Sequence, residues 1–158
     1  MSYKPDRYSA AIRAASPLDL NAIVHLGSQV SLNPWSREAL NRYCQPAIAE
    51  SHFALVGEIA NSVVGFLIYS RVLDEASVDN VVVDPAHQGL GLGRALLAEA
   101  LNNMRLADLK RCLLEVRESN VAARALYENN GFSVDGVRPG YYKTDQGRED
   151  ALLMSRRL

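Results

Sequence analysis

The sequence predicts one mixed α/β domain whose sheet is mostly antiparallel and carries a parallel strand pair at its centre. Three observations lead there. Two apolar strand-like runs, His52 to Ile59 and Val63 to Val72, are separated by a tight turn containing Asn61, the pattern of an antiparallel hairpin. A third strand, Glu75 to Val83, is followed by Gln88-Gly89-Leu90-Gly91-Leu92-Gly93-Arg94 and then by a helical pattern. A glycine-rich turn between strand and helix is a place where backbone N–H groups can cradle phosphate. The next strand, Cys112 to Val116, is joined to the third through that helix, so a right-handed crossover sets the two parallel.

The other elements follow in order. Tyr8 to Arg13 reads as a first strand. Ser16-Pro17-Leu18-Asp19 then supplies an N-cap, a proline at the first helical position and an acid in the first turn, opening a helix to about Val30. Asn33-Pro34-Trp35-Ser36 interrupts it, and Ser36 caps a second helix through about Cys44. The helix from Gly91 to about Leu106 carries Leu92, Leu96, Ala100 and Met104 on one side, so it packs on the sheet. Ser119-Asn120 caps a further helix that ends at Asn129-Asn130-Gly131, where Gly131 takes the left-handed position. Two last strands, Phe132 to Arg138 and Glu149 to Arg156, flank a polar loop from Pro139 to Arg148.

A chain of 158 residues that is 48% apolar suits a single domain over residues 1–158, with the polar stretch Met1 to Arg7 as a flexible tail. Lysine plus arginine (17) nearly cancels aspartate plus glutamate (18), so no global basic field points to nucleic acid or a membrane surface. Neither a leader pattern nor a membrane-length apolar run is present. Cys44 and Cys112 are isolated, which suggests neither a disulfide framework nor a zinc site and fits a cytoplasmic protein. His25, His52 and His87 fall on unrelated elements and give no histidine triad or metal site.

Three phosphate-binding patterns compete for the glycine turn. A Walker loop fails because no lysine follows these glycines. A dinucleotide fingerprint places its third glycine one residue too early in Gly89-x-Gly91-x-Gly93, although Glu115 stands where a ribose-binding acid would be; it stays open as an alternative. The third is Gln88-x-x-Gly91-x-Gly93, which resembles the signature of the GCN5-related N-acetyltransferases. The likeness extends over roughly residues 10 to 155. Asn33-Pro34-Trp35-Ser36, Leu73-Asp74-Glu75-Ala76, Leu114 to Asn120, Ala125-Leu126-Tyr127-Glu128, Gly131-Phe132, Tyr141-Tyr142 and Gly147 to Ala151 are similar to the bacterial members that acetylate the N-terminal alanine of a ribosomal protein.

The resemblance implies a parallel pair that splays to admit the pantetheine arm, acetyl-coenzyme A as co-substrate, no metal, and a protein N-terminus as acceptor, that of a small-subunit ribosomal protein. It implies cofactor contacts from Val81, Val82 and Val83, from Gln88, Gly89, Leu90, Gly91, Leu92, Gly93 and Arg94, and from Asn120. It makes Glu115 the general base and Tyr127 the general acid, with the Val83 N–H near the oxyanion and Trp35, Glu75 and Tyr141 on the acceptor side. The residues add support of their own. An acid inside a short apolar strand is costly to desolvate unless it is paired, near water or functional; Arg117 or another arginine is the partner a purely structural role would need. Asn120 and Tyr127, two helical turns apart, share a helix face.

An α-amine, with a pKa of about 7.7–8.0, is easier for a carboxylate to deprotonate than lysine at about 10.4, a difference near 3.5 kcal/mol. A lysine side chain, a small-molecule amine and a non-catalytic acetyl-coenzyme A sensor remain alternatives. Three features depart from the family pattern: Gly89 stands where arginine is common, Pro139-Gly140 precede the paired tyrosines, and Asp79 sits where an apolar residue is usual. Strand alternation puts Asp79 on the side of Glu75 and Val81, either solvated or paired with an arginine, with an acceptor contact as the third option.

Overall fold

In the computed structural model, which describes residues 9–31, 33–45 and 50–158, seven strands form one sheet in the order β1-β2-β3-β4-β5-β7-β6. The strands are β1 (Ala11–Ala14), β2 (His52–Ile59), β3 (Ser62–Val72), β4 (Glu75–Val83), β5 (Arg111–Arg117), β6 (Ser133–Thr144) and β7 (Gly147–Arg157). The α-helices are α1 (Leu20–Val30), α2 (Arg37–Asn41), α3 (Leu92–Leu106) and α4 (Val121–Asn129). Only β4 and β5 run parallel, joined by α3 as the crossover demands. The expected tail, Met1 to Arg7, and the expected start of the first strand at Tyr8 lie outside the described residues.

Local chemistry explains most element boundaries. Asp19 closes a capping box with Ser16 ahead of α1, and its carboxylate takes both terminal nitrogens of Arg13, at 2.7 and 2.8 Å. Ser36 Oγ accepts from the Ala39 N–H at 3.2 Å and starts α2. Ala60 and Asn61 both have positive φ, 50° and 62°, the geometry that joins β2 to β3 through a two-residue hairpin loop.

Helices α3 and α4 cover one face of the sheet, where Leu96, Leu97, Ala100, Leu101 and Met104 pack with Leu67, Val78, Cys112, Leu114 and Val116. On the opposite face Leu20, Ile23, Leu26, Leu40 and Tyr43 pack with Val56, Phe66, Ile68 and Val82. Strand β4 contributes to both faces because it carries an inserted residue. Tyr69 pairs with Val78 and Ile68 with Asn80, so Asp79 has no partner on β3. Ala76 and Val78 therefore face α3, Val82 faces α1, and Val81 and Val83 pack against the α3 side. This corrects the expected alternation: Asp79 keeps the side of Glu75, and the bulge turns Val81 away.

The C-terminal hairpin is also longer than its sequence suggests. The polar stretch Pro139 to Arg148 is not a loop; β6 runs on to Thr144 and pairs with β7 around a turn at Asp145-Gln146. Its composition is polar because this arm is exposed on both faces. A register shift between Arg138 and Tyr142 absorbs Pro139 and Gly140, and the Gly140 N–H donates to Asp150 Oδ1 at 2.8 Å.

One close approach sets α3 on the sheet. Gly57 and Gly65 face each other across β2 and β3, and a Cβ on Gly65 would lie 2.9 Å from Leu92 Cδ2 and 3.0 Å from the Val82 carbonyl. Leu92 is the first residue of α3, so these glycines let the helix start sit against the sheet. Gly65→Ala should destabilise the protein by about 1–3 kcal/mol by overpacking. Thermal or denaturant unfolding measures this, and a raised KM for the acetyl donor should accompany it because the start of α3 must shift.

Candidate active site

The glycine turn folds as a cradle. Asp84 caps a short 3-10 turn, Pro85–His87, by accepting from the Ala86 N–H at 3.1 Å. The Gln88 side-chain amide then donates back to the Val83 carbonyl at 3.2 Å, tying the turn to the end of β4. Gly89 and Gly91 adopt φ of 78° and 84°, where a side chain is strained, and the space a Cβ would take at either is open. The first intrahelical bond of α3 runs from the Ala95 N–H to the Gly91 carbonyl. The N–H groups of Leu92, Gly93 and Arg94 thus have no acceptor within the helix, and the helix dipole adds partial positive charge there. Arg94 is exposed and without an ion pair among the described residues, Leu90 is exposed, and Leu92 turns its side chain inward, leaving only its backbone to offer. Gly93 lies against Leu126 of α4 and Val83 of β4, at 3.6 and 3.8 Å from an added Cβ. These residues fit a pyrophosphate: aligned donors and open space.

Beside the cradle the parallel pair comes apart. β4 and β5 pair only over Glu75 to Val78 with Arg111 to Leu114, so Asp79 and Glu115 are the first residues past the last pairing. The Asp84 N–H donates to the Val64 carbonyl while Val83 lies opposite Gly65. Val83 is therefore at a non-hydrogen-bonded position of the antiparallel ladder, and Val81 is too. Their N–H and C=O groups point away from β3 into the wedge, whereas those of Val82 belong to β3. Of the three valines expected at the cofactor, two turn their backbone toward the opening.

Glu115 and Tyr127 sit on opposite faces of the sheet beside this wedge. Cys112, Leu114 and Val116 face α3 and α4, so Glu115 faces the other way. It is exposed rather than desolvated, and the Arg138 guanidinium pairs with it at 3.2 Å. The structural partner is thus Arg138 and not Arg117, which instead binds Glu149 at 2.9 Å and lies 4.3 Å over the Tyr142 ring. Arg138 also stacks 5.2 Å from the Tyr141 ring, and Tyr141 meets Tyr142 edge-on at 4.9 Å. Glu115, Arg138, Tyr141, Tyr142, Arg117 and Glu149 form one connected wall.

Tyr127 is 7% exposed in the core under α4, edge-on to Phe132 at 5.8 Å. Burial, reinforced by nearby Cys112 and Tyr142, pushes its hydroxyl up to about 12. Asn120 caps α4, its side-chain carbonyl accepting from the Ala123 N–H at 3.1 Å, which leaves its NH₂ available. Trp35 packs edge-on to Tyr43 at 5.9 Å, on the face shared with Glu115. Glu75 is not gathered into the group around Glu115: it stands in the closed part of the strand pair, 3.9 Å from Arg111. Arg138 and Tyr43 were not legible as site residues, because a strand ending at Arg138 and a helix-end aromatic carry no signal of their neighbours.

His25, His52 and His87 contact Gln29, Ser51 and Asp84 respectively, so no triad forms. Among the described residues no group of His, Cys, Asp and Glu is placed to hold a metal, and no helix is long and apolar enough to cross a membrane. Both cysteines are buried and free. Surface hollows beside Phe53, Tyr69 and Met104, and beside Arg111, Asp135 and Arg156, are lined by none of the cradle residues.

Comparison with known proteins agrees with this geometry. The model of the acetyltransferase (GNAT) family matches residues 20–132. The chain is 37% identical over 149 residues to the [ribosomal protein bS18]-alanine N-acetyltransferase of Escherichia coli K12, covering 91% of this chain and 95% of that one. It is 35% identical to the enzyme of the same name from Haemophilus influenzae, covering 87% and 91% of the two chains. The crystal structure of the Escherichia coli enzyme superposes with a TM-score of 0.87 at 35% identity over 94% of each chain. That of Ard1 from Thermoplasma volcanium superposes with a TM-score of 0.81 at 26% identity, over 94% of this chain and 97% of that one. With this family match, these relatives, and a glycine turn opening α3 beside a split parallel pair, the chain belongs to the GNAT family and is an N-acetyltransferase.

Proposed function

We propose that the enzyme transfers acetyl from acetyl-coenzyme A to the α-amine of a protein N-terminus, specifically the N-terminal alanine of a small-subunit ribosomal protein of the bS18 type. The observation that carries this reading is Glu115, a carboxylate on the open face at the point where β4 and β5 part. Identity to the bS18-alanine enzymes over nine-tenths of the chain supports the choice of acceptor.

Acetyl-coenzyme A supplies the acetyl group as a thioester. The N–H groups of Gly91, Leu92, Gly93 and Arg94 hold its pyrophosphate, Arg94 adds a charge-assisted contact, and Asn120 offers its NH₂ to the amide-bearing arm. The Val81 and Val83 N–H groups present donors inside the wedge, where a preorganised N–H stabilises negative charge on the acyl oxygen. Glu115 accepts a proton from the incoming ammonium, directly or through one water; the freed lone pair attacks the thioester carbonyl, the C–N bond forms as the C–S bond breaks, and the acylated nitrogen gives its extra proton to solvent. Tyr127, on the opposite face, donates its O–H to the departing sulfur. The base and the acid thus approach the split from its two sides, so neither needs to cross the reacting atoms.

The test is mass spectrometry of peptides incubated with the enzyme and acetyl-coenzyme A. A peptide beginning with alanine should gain one acetyl group on its α-amine, and the same peptide with a blocked N-terminus and an internal lysine should gain none. Acetylation of the blocked peptide alone would mean a lysine acetyltransferase.

A further inference from the structure

One acid on the acceptor side of the wedge is not explained by the proposed chemistry. Asp79 is the inserted residue of β4, and its side chain lies on the face that also carries Glu115, where it meets Tyr43 just beyond α2. Tyr43 donates its hydroxyl to Asp79 Oδ2 at 2.9 Å, and Ser70 and Ser77 lie close enough to favour the ionised carboxyl. The Tyr43 ring is itself held edge-on by Trp35 at 5.9 Å and by His52 at 5.0 Å. The expectation of a solvated or arginine-paired Asp79 is thus corrected. The carboxyl is half-buried, and among the described residues no Lys or Arg forms an ion pair with it. His52, whose Nδ1 meets Ser51 Oγ at 2.8 Å, is the nearby group whose charge would favour the ionised carboxylate.

Two acids on the wall beside the split already have a cation: Glu115 has Arg138 at 3.2 Å and Glu149 has Arg117 at 2.9 Å. A half-buried carboxylate held by the Tyr43 hydroxyl is partly compensated for hydrogen bonding but not for charge. Burial pushes the Asp79 carboxyl up, and the hydroxyls only partly oppose this. The compensating cation is available from the reaction, since an α-amine arrives at pH 7 mostly as ammonium. Asp79 and Glu115 are neighbouring residues just beyond the last pairing and lie on the same face, so an ammonium entering the split meets both carboxyl groups.

We propose that Asp79, held by Tyr43, is an acceptor-binding residue that receives the α-ammonium of the incoming N-terminus and hands it to Glu115. It sets a preference for charged amines over neutral ends of the same shape. The idea rests on the α-amine reading above.

The probe is a pair of peptides, one beginning with alanine and one with a propionyl group in its place, which lacks only the ammonium. Both are titrated calorimetrically into enzyme saturated with coenzyme A at pH 7. Wild type should bind the alanyl peptide about tenfold more tightly than the propionyl peptide. Asp79→Asn should reduce that ratio to about threefold or less and raise the peptide KM, with kcat less affected and the coenzyme A affinity within about twofold. Asp79→Glu should recover part of the ratio. Tyr43→Phe, which frees Asp79 Oδ2, should lower kcat/KM for the peptide by about threefold. Equal weakening of both peptides by Asp79→Asn, or an unchanged ratio, overturns the proposal while leaving the α-amine reading intact. A wild-type enzyme that acetylates lysine peptides and ignores free α-amines overturns both.

Discussion

Glu115→Gln should lower kcat for an alanine peptide by about 10²–10⁴-fold, the range a positioned general base contributes. Glutamine keeps the size and hydrogen-bonding reach of the side chain but accepts no proton from an ammonium. The fold should be untouched, because Glu115 is exposed and its bond to Arg138 is an ion pair of the solvent-screened kind worth about 0–1 kcal/mol. The melting temperature should therefore stay within a few degrees while turnover collapses. The coenzyme A affinity should also hold, since the cradle at Gly89 to Arg94 is built on another strand and helix. Steady-state kinetics with calorimetric titration of coenzyme A checks all three, and a kcat within threefold of wild type removes Glu115 from the mechanism.

Tyr127→Phe should cost about 10²-fold or more in kcat. The ring is 7% exposed among Cys112, Leu114, Val116 and Phe132, and phenylalanine fills the same space. The lost hydroxyl makes no hydrogen bond among the described residues, so the variant should be at least as stable as wild type. The same burial that puts the hydroxyl at about 12 keeps it protonated through the working range, ready to donate. In consequence the wild-type kcat should show no alkaline fall attributable to this group below about pH 10. A fall with an apparent pKa near 8 that vanishes in Tyr127→Phe would contradict the assignment. Loss of turnover together with loss of stability would show a packing role, which the paired measurements of kcat and melting temperature separate.

Much of the molecule was readable from local chemistry. β2, β4, α3 and α4 begin and end within a residue or two of where caps, glycines and apolar spacing put them, whereas α1 starts at Leu20, after a 3-10 turn over Pro17–Asp19 where the cap and proline predicted its first turn. The shape of the glycine turn was legible because Gly89 and Gly91 are required by backbone conformation, a constraint that acts within a few residues. The extended β6–β7 arm was not. Its polar composition matches that of a loop, and only pairing across the hairpin, with a register shift taking up Pro139 and Gly140, makes it strand. Glu115 and Tyr127 were nameable from the sequence, but their opposite faces and the Arg138 partner depend on strands distant in the chain.

Asp79 shows where the boundary lies. Period-two alternation is a sequence property only while a strand pairs regularly, and one inserted residue reverses every side chain beyond it. The insertion is not encoded at Asp79 alone; it is defined by which β3 residues stand opposite Val78 and Asn80. By itself the sequence determined most element types, their order, the parallel crossover and the glycine turn that opens α3, all products of interactions spanning a few residues or one helix. The tertiary structure decided where β4 and β5 part, which valine amides face the opening, and which carboxylates have cations, because each depends on groups brought together from separate elements.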